Sequence, residues 1–97
     1  MSTATRTIKP FPLGQLVATP GALDAISRAG QSPLEILLRH AANDWGEVGN
    51  EDWQANDEAL GNGERLLSAY TLANGEKIWI ITEHDRSVTT VLLPDEY

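Results

Sequence analysis

The chain contains no cysteine, no long apolar run and few basic residues, and each absence excludes a class of protein. Without cysteine there is no disulfide framework and no thiolate chemistry. The apolar runs are a few residues long, far short of the roughly 20 residues that a membrane-spanning helix needs. No basic-then-apolar leader opens the chain either. We therefore expect a cytoplasmic protein that does not interact with a membrane.

Basic residues are scarce relative to acidic ones, because seven Lys and Arg stand against fourteen Asp and Glu, a formal net charge of −7. Proteins that bind nucleic acid usually carry a basic patch, since neutralising phosphates releases counterions. The charge therefore disfavours direct nucleic-acid binding. The imbalance is also local, because positions 41–64 contain no Lys or Arg. The acidic surface predicted there consists of Asp44, Glu47, Glu51, Asp52, Asp57 and Glu58. It is either a solvated face that aids solubility or a surface that binds a basic partner.

Length and composition otherwise indicate one globular domain. The chain has 97 residues, of which 41 % are apolar and 22 % are charged. These values are typical of a small domain with a single hydrophobic core. Residues 1–10 are predicted to be a flexible N-terminal tail and residues 11–97 a single α+β domain. Periodicity does not decide whether residues 11–18 form a strand or an extended arm.

Three short helices are predicted in the first two thirds of the chain. Thr19-Pro20 places an N-cap hydroxyl before a first-turn proline. Ser32 and Glu35 have the spacing of a capping box. Asn50 is expected to cap a third helix that ends at Gly61-Asn62-Gly63. The residues expected to be buried are Ala22, Leu23 and Ile26 in the first helix, and Leu34, Leu37, Leu38 and Ala41 in the second.

The last third is predicted to be a three-stranded antiparallel meander. Asn74-Gly75 favours a two-residue type I′ turn, which would place Tyr70 opposite Trp79. A four-residue second loop would place Ile80 opposite Val91. This register puts Leu67, Ala69, Ile78, Ile80, Val91 and Leu93 on the face toward the helices. The other face then carries Leu66, Tyr70, Trp79, Ile81, Val88 and Leu92.

The second face is too apolar to be left uncovered. Either residues 11–17 cover it, or it binds a protein partner or a second copy of the chain through Tyr70, Trp79 and Leu92.

Several segments together resemble a known family. They are Phe11-Pro12-Leu13-Gly14-Gln15-Leu16-Val17-Ala18-Thr19-Pro20-Gly21-Ala22-Leu23, Leu38-Arg39-His40 with Asp44-Trp45-Gly46, Leu66-Leu67-Ser68-Ala69-Tyr70, Ile78-Trp79-Ile80-Ile81-Thr82-Glu83 with Asp85-Arg86-Ser87, and the ending from Thr89 to Tyr97. The chain is similar over these segments to small proteobacterial proteins usually labelled plasmid-related. The resemblance implies a setting among plasmids, integrated elements and phages. It carries no catalytic residue over to this chain.

No catalytic, phosphate-binding or cofactor motif is present, and no cofactor is expected. His40 and Asp44 are four residues apart, but two ligands do not specify a metal site. A metal-independent ribonuclease could use His40, Glu83 or His84 as acid and base, with Arg86 or Arg65 as the cation. The other interpretation of His40 is a cationic cap at the C-terminal end of the second helix.

The favoured interpretation is a non-enzymatic accessory protein of a mobile element. It would act by protein–protein interaction through the acidic surface or the apolar sheet face, with counter-defence as one role. The alternative is a small toxin-like ribonuclease of loosely barnase-like or RelE-like architecture.

Overall fold

The structure is a computed structural model that describes residues 8–97, and it shows an α+β domain. Three α-helices accompany one mixed four-stranded sheet with the order β1-β4-β3-β2. The elements are β1 (Gln15–Ala18), α1 (Pro20–Arg28), α2 (Pro33–Ala41), α3 (Asn50–Asn62), β2 (Leu66–Thr71), β3 (Lys77–Thr82), β4 (Val88–Leu92) and a final 3-10 turn (Pro94–Glu96). The predicted fold class is confirmed, with an N-terminal strand added in parallel to β4.

The predicted tail is described only in part, because residues 1–7 lie outside the described residues. Lys9, in the described part, is held through both of its backbone polar groups. Its N–H donates to Asn43 Oδ1 at 2.7 Å, and its carbonyl accepts from Asn43 Nδ2 at 3.2 Å.

The helix boundaries follow the capping chemistry of the sequence. Thr19 Oγ1 accepts the Ala22 N–H at 3.0 Å, and Ser32 forms a complete capping box with Glu35. At α3 the prediction was wrong by one position, since Gly49 is the N-cap and contributes no side-chain bond. Gly63, with φ of 69°, ends this helix in the left-handed conformation that glycine adopts at low cost.

The buried sides of α1 and α2 differ from the predicted stripes. Leu23, Leu34 and Leu38 are exposed, whereas Ala25 and Ile36 are buried. His40 is also buried in α2. The apolar stripe of each helix is wider than its buried side, so periodicity alone does not identify which apolar residues meet the sheet.

The predicted meander of β2, β3 and β4 is confirmed, and so is the register that places Ile80 opposite Val91. The register of the first hairpin was wrong by one residue, because Tyr70 lies opposite Ile78. The turn has three residues rather than two. The Leu72 N–H donates to the Glu76 carbonyl at 2.8 Å, and Gly75 alone has positive φ, at 89°. A turn closed by one left-handed glycine is the common three-residue hairpin.

This one-residue shift exchanges the two faces of β2. Leu66, Ser68 and Tyr70 face the helices and are buried, while Leu67 and Ala69 lie on the opposite face. Tyr70 was therefore predicted on the wrong face, and it belongs to the core rather than to a binding surface.

The helices cover one face of the sheet. Ala22, Ile26, Ile36 and Leu37 pack there in one cluster that also contains Tyr70, Leu72, Ile78, Ile80 and Val91. A second cluster on the same side surrounds Trp45, Ala59 and Leu66, with Phe11 and Trp53 packed against it. Since Phe11 lies in this cluster, the N-terminal segment does not cover the opposite face, which had been one of the two expectations.

The outer edge of β2 is closed by other parts of the chain. The Ala69 N–H donates to the Trp45 carbonyl at 3.1 Å, and the Ala69 carbonyl accepts the Glu47 N–H at 2.7 Å. Two residues earlier on β2, the Asn56 side chain of α3 bonds both the carbonyl and the N–H of Leu67, at 2.7 and 3.1 Å. These two bonds from Asn56 attach α3 to the sheet.

Asn56→Ala is expected to lower the free energy of unfolding by about 2 kcal/mol, because two backbone groups of Leu67 lose their partner. Urea unfolding measures the loss, and faster hydrogen exchange at the Leu67 amide locates it. Asn62→Ala, in an exposed position of the same helix, is the matched control and should change stability by less than about 0.5 kcal/mol. Equal losses in the two variants would show that the Asn56 contacts do not hold the helix.

No helix within residues 8–97 has the length and apolar character needed to cross a membrane.

Candidate functional site

The six acidic residues predicted as a surface divide into two groups in the structure. Three of them are engaged within the fold. Asp44 pairs with Arg39 at 2.9 Å, Glu47 pairs with Lys77 at 3.3 Å, and Asp57 accepts the indole N–H of Trp45 at 2.9 Å. The hydrogen bond from Thr71 and the pairing with Lys77 lower the pKa of the Glu47 carboxyl.

The remaining three, Glu51, Asp52 and Glu58, are exposed on α3 and contact no hydrogen-bond donor or cation among residues 8–97. Glu51 and Asp52 occupy the first turn, where the helix dipole favours negative charge. Glu58 lies farther along α3 and has no such stabilising role. Glu51 and Glu58 are seven residues apart, which places them on the same side of the helix.

The helix that presents these carboxylates is anchored through residues of its second half. Asn56 binds β2, Asp57 binds Trp45, and Arg86 donates to the Ala59 carbonyl at 3.0 Å. The same guanidinium donates to the Glu64 carbonyl at 2.6 Å, just beyond the end of the helix. The acidic side is therefore a rigid surface and not a flexible segment.

The sheet face opposite the helices carries Trp79 and Leu92, as predicted. Part of this face is covered by the C-terminal residues, because the ring of Tyr97 packs edge-on against Trp79 with centroids 5.6 Å apart. Arg65 lies over the same Tyr97 ring at 5.3 Å. Leu92 is 6 % exposed, and its neighbour Ile81 is 4 % exposed. This face is therefore less open than the sequence indicated.

His40 lies inside the protein at the centre of a chain of hydroxyl groups. Nδ1 lies 2.6 Å from Ser68 Oγ, and Nε2 lies 2.9 Å from Thr82 Oγ1. Thr82 contacts Thr89 Oγ1 at 2.7 Å, and Thr89 donates to the Leu13 carbonyl at 2.7 Å.

The fixed acceptor at Leu13 sets the direction of every bond in this chain. The Thr89 hydroxyl donates its proton to that carbonyl and can only accept from Thr82. The Thr82 hydroxyl therefore donates to Thr89 Oγ1, and His40 Nε2–H donates to Thr82 Oγ1. Nδ1 then accepts from Ser68. Burial, followed by the charge of Arg86, lowers the pKa of His40 to about 4. His40 is therefore a neutral core residue, and the prediction of a cationic helix cap was wrong.

His40 is not brought together with the other residues considered for ribonuclease chemistry. It is fully buried with both ring nitrogens occupied. Glu83, His84 and Arg86 lie together at the turn between β3 and β4, where His84 is exposed and the Glu83 side chain is half-buried. The Arg86 guanidinium donates to the backbone carbonyls of Glu83 at 3.1 Å and His84 at 3.4 Å.

Sequence reasoning did not identify the polar residues that organise the interior, Asn56, Ser68, Thr82 and Thr89. No local pattern marks them, since each is an ordinary residue of a helix or strand. A correct register for the first hairpin would have placed Ser68 on the same face as Ile80, its cross-strand neighbour, and would have signalled a buried hydroxyl.

Comparison of the chain with protein-family models, with curated proteins and with solved structures gave no match.

Proposed function

We propose that this protein is a non-enzymatic accessory protein of a mobile element and that it binds a basic protein surface through α3. The observation that carries the proposal is the anchored helix whose outer carboxylates, Glu51, Asp52 and Glu58, have no cation beside them among the described residues. The mobile-element setting comes from the sequence resemblance.

A rigid acidic helix suits this role for two reasons. First, the anchors at Asn56 and Arg86 hold the helix before binding, so association costs little ordering of the backbone. Second, a net charge of −7 attracts a positively charged partner over a distance set by the salt concentration. The nucleic-acid channel of a defence nuclease is a basic surface of this kind. Occupying that channel would block access to foreign DNA, which is a counter-defence activity.

The ribonuclease alternative has weaker support. It requires a base with a free nitrogen, which leaves only the exposed His84 of the two histidines, because the ring nitrogens of His40 are both bonded inside the core. It also requires a cation directed toward substrate, whereas Arg86 binds carbonyl groups.

The proposal is tested with a triple variant, Glu51→Gln, Asp52→Asn and Glu58→Gln. The protein is expressed in a host that carries a type I restriction system, and transformation by unmodified plasmid DNA is counted. We expect the unaltered chain to raise the number of transformants and the triple variant to lose most of that increase. Three exposed charge pairs contribute about 2 kcal/mol together, so binding to the purified nuclease should weaken roughly thirtyfold.

A second triple variant separates the position of the charges from their sum. Asp24→Asn, Glu83→Gln and Asp95→Asn also change the net charge from −7 to −4, but all three positions lie outside α3. This control should keep the activity. Binding should weaken when salt rises from about 0.05 to 0.5 M, since the Debye length falls from about 14 Å to about 4 Å. No protection by the unaltered chain, or equal losses in both triple variants, would refute the proposal.

A further inference from the structure

The two edges of the sheet are treated differently by the fold. The β2 edge is paired with residues 45–47 and with Asn56, as described above. Within residues 8–97, no segment covers the β1 edge in this way. Gln15 and Thr19 direct their N–H groups to β4, donating to the Ser87 and Val91 carbonyls at 2.9 and 3.0 Å. Because a strand alternates its hydrogen-bonding sides, the backbone groups of Leu16 and Ala18 point away from the sheet.

The exposed strand has one of the usual protections against pairing, its short length, and lacks the others. Natural edge strands are also blocked by charged residues, by proline within the strand or by a bulge. Gln15–Ala18 contains no charge and no proline. Its two central side chains are apolar and exposed, with Leu16 at 53 % and Val17 at 41 %. The strand has only four residues, which restricts the partner to a strand of similar length.

We infer that the protein forms a two-fold symmetric dimer in which β1 pairs antiparallel with β1 of a second copy. The outward N–H and carbonyl of Leu16 lie opposite those of Ala18 in the other chain. Each such Leu16–Ala18 pair can exchange two backbone hydrogen bonds. Val17 then lies beside its own copy on the two-fold axis, and Leu16 packs next to the small Ala18. The product is one continuous sheet through both chains.

The charge distribution favours a second copy as the occupant of this edge. Two molecules of net charge −7 repel each other, and three carboxylates without a cation beside them among residues 8–97, Glu51, Asp52 and Glu58, lie on α3, which packs at β2. Since the strand order is β1-β4-β3-β2, a dimer joined at β1 holds its two β2 strands seven strand spacings apart. This is roughly 34 Å, several times the Debye length of about 8 Å at physiological salt. The uncharged edge is the place where two copies meet with their acidic helices farthest apart.

This inference does not depend on the proposed function, because it concerns an edge that α3 does not touch. The dimer would, however, present one acidic helix at each end of the sheet.

Sedimentation equilibrium over a wide protein concentration range tests the dimer in the full chain. We expect the unaltered protein to dimerise. Leu16→Pro removes an outward N–H that β4 does not use, and Val17→Lys places two like charges at the axis. Both variants should lose the dimer. Leu23→Lys changes another exposed leucine, in α1, and should leave the dimer intact.

Hydrogen exchange gives a second measurement that needs no variant. The Leu16 and Ala18 amides should exchange more slowly as the protein concentration rises. The exchange rate of the Leu38 amide in α2 should not depend on concentration. A protein that stays monomeric at every concentration overturns the inference. So does a dimer that survives in folded Leu16→Pro and Val17→Lys but is lost in Trp79→Ala, or a monomer whose β1 binds an extended peptide instead. The triple variant of α3 should remain dimeric, so failure of the proposed function and failure of the dimer are distinguishable.

Discussion

Gly46→Ala is expected to cost at least about 3 kcal/mol of unfolding free energy, a large share of the roughly 5–15 kcal/mol available to a small domain. A Cβ at this position would overlap the Ala69 carbonyl oxygen and lie 2.6 Å from Tyr70 Cδ1. The backbone there has φ of 76°, which a side chain also disfavours. Relief requires the segment to move off β2, and the two hydrogen bonds that Ala69 makes to Trp45 and Glu47 would then break.

Gly63→Ala is the matched control for this variant. Gly63 has a similar φ of 69°, but nothing lies within 4 Å of a Cβ added there. The control therefore carries only the conformational cost, about 1 to 2 kcal/mol. Urea unfolding of the three proteins gives both losses. If the two variants lose equal stability, the close approach of Gly46 to β2 does not contribute.

Acid should destabilise the protein through His40 well before its carboxylates are fully protonated. The pKa of His40 is about 4 in the folded protein, below the ordinary value of 6.5, because burial disfavours the charged ring. Between these two pH values the unfolded chain takes up a proton that the folded protein excludes. The free energy of unfolding therefore falls as pH falls from about 6.5 toward 4. The slope approaches 1.4 kcal/mol per pH unit, and the total is about 3 kcal/mol.

His40→Gln isolates this contribution, since carboxylate effects are common to both proteins and cancel in the difference. At pH 7 the variant should be less stable by about 2 kcal/mol, because the glutamine cannot bond both Ser68 and Thr82. The stability gap should narrow as pH falls and reverse before pH 4, because the loss of about 3 kcal/mol at His40 exceeds the gap of about 2 kcal/mol. His84→Gln makes the same substitution at the other histidine, which is exposed, and is the matched control. A constant gap between pH 7 and pH 4.5 would show that His40 titrates normally in the folded protein.

These two predictions rest on residues whose importance is invisible in the sequence. Gly46 was noticed only in a segment that carries the family resemblance, and His40 only as a potential acid or base, metal ligand or cap. In each case the decisive neighbour is distant along the chain: Ala69 for the glycine, and Ser68 and Thr82 for the histidine. Local chemistry does not specify which distant residues meet.

The features that the sequence determined by itself are those with a local cause. Ser32 and Glu35 satisfy each other's backbone groups within one turn, so their capping box was predictable from spacing alone. The meander was likewise predictable from alternating side chains and turn residues. The register of the second hairpin was predicted correctly because a four-residue loop is compatible with only one pairing of its two strands.

The tertiary structure decided everything that depends on a choice between near-equal local options. Asn74-Gly75 is compatible with turns of two or three residues, and the longer turn was selected because it buries Leu66 and Tyr70 beneath the helices. That choice moved Tyr70 into the core, and packing placed Tyr97 rather than the N-terminal segment over Trp79. The absence of cysteine and the scarcity of basic residues are properties of the composition. Where the acidic residues lie unpaired, and which sheet edge is left open, follows from burial and strand order, which only the folded chain specifies.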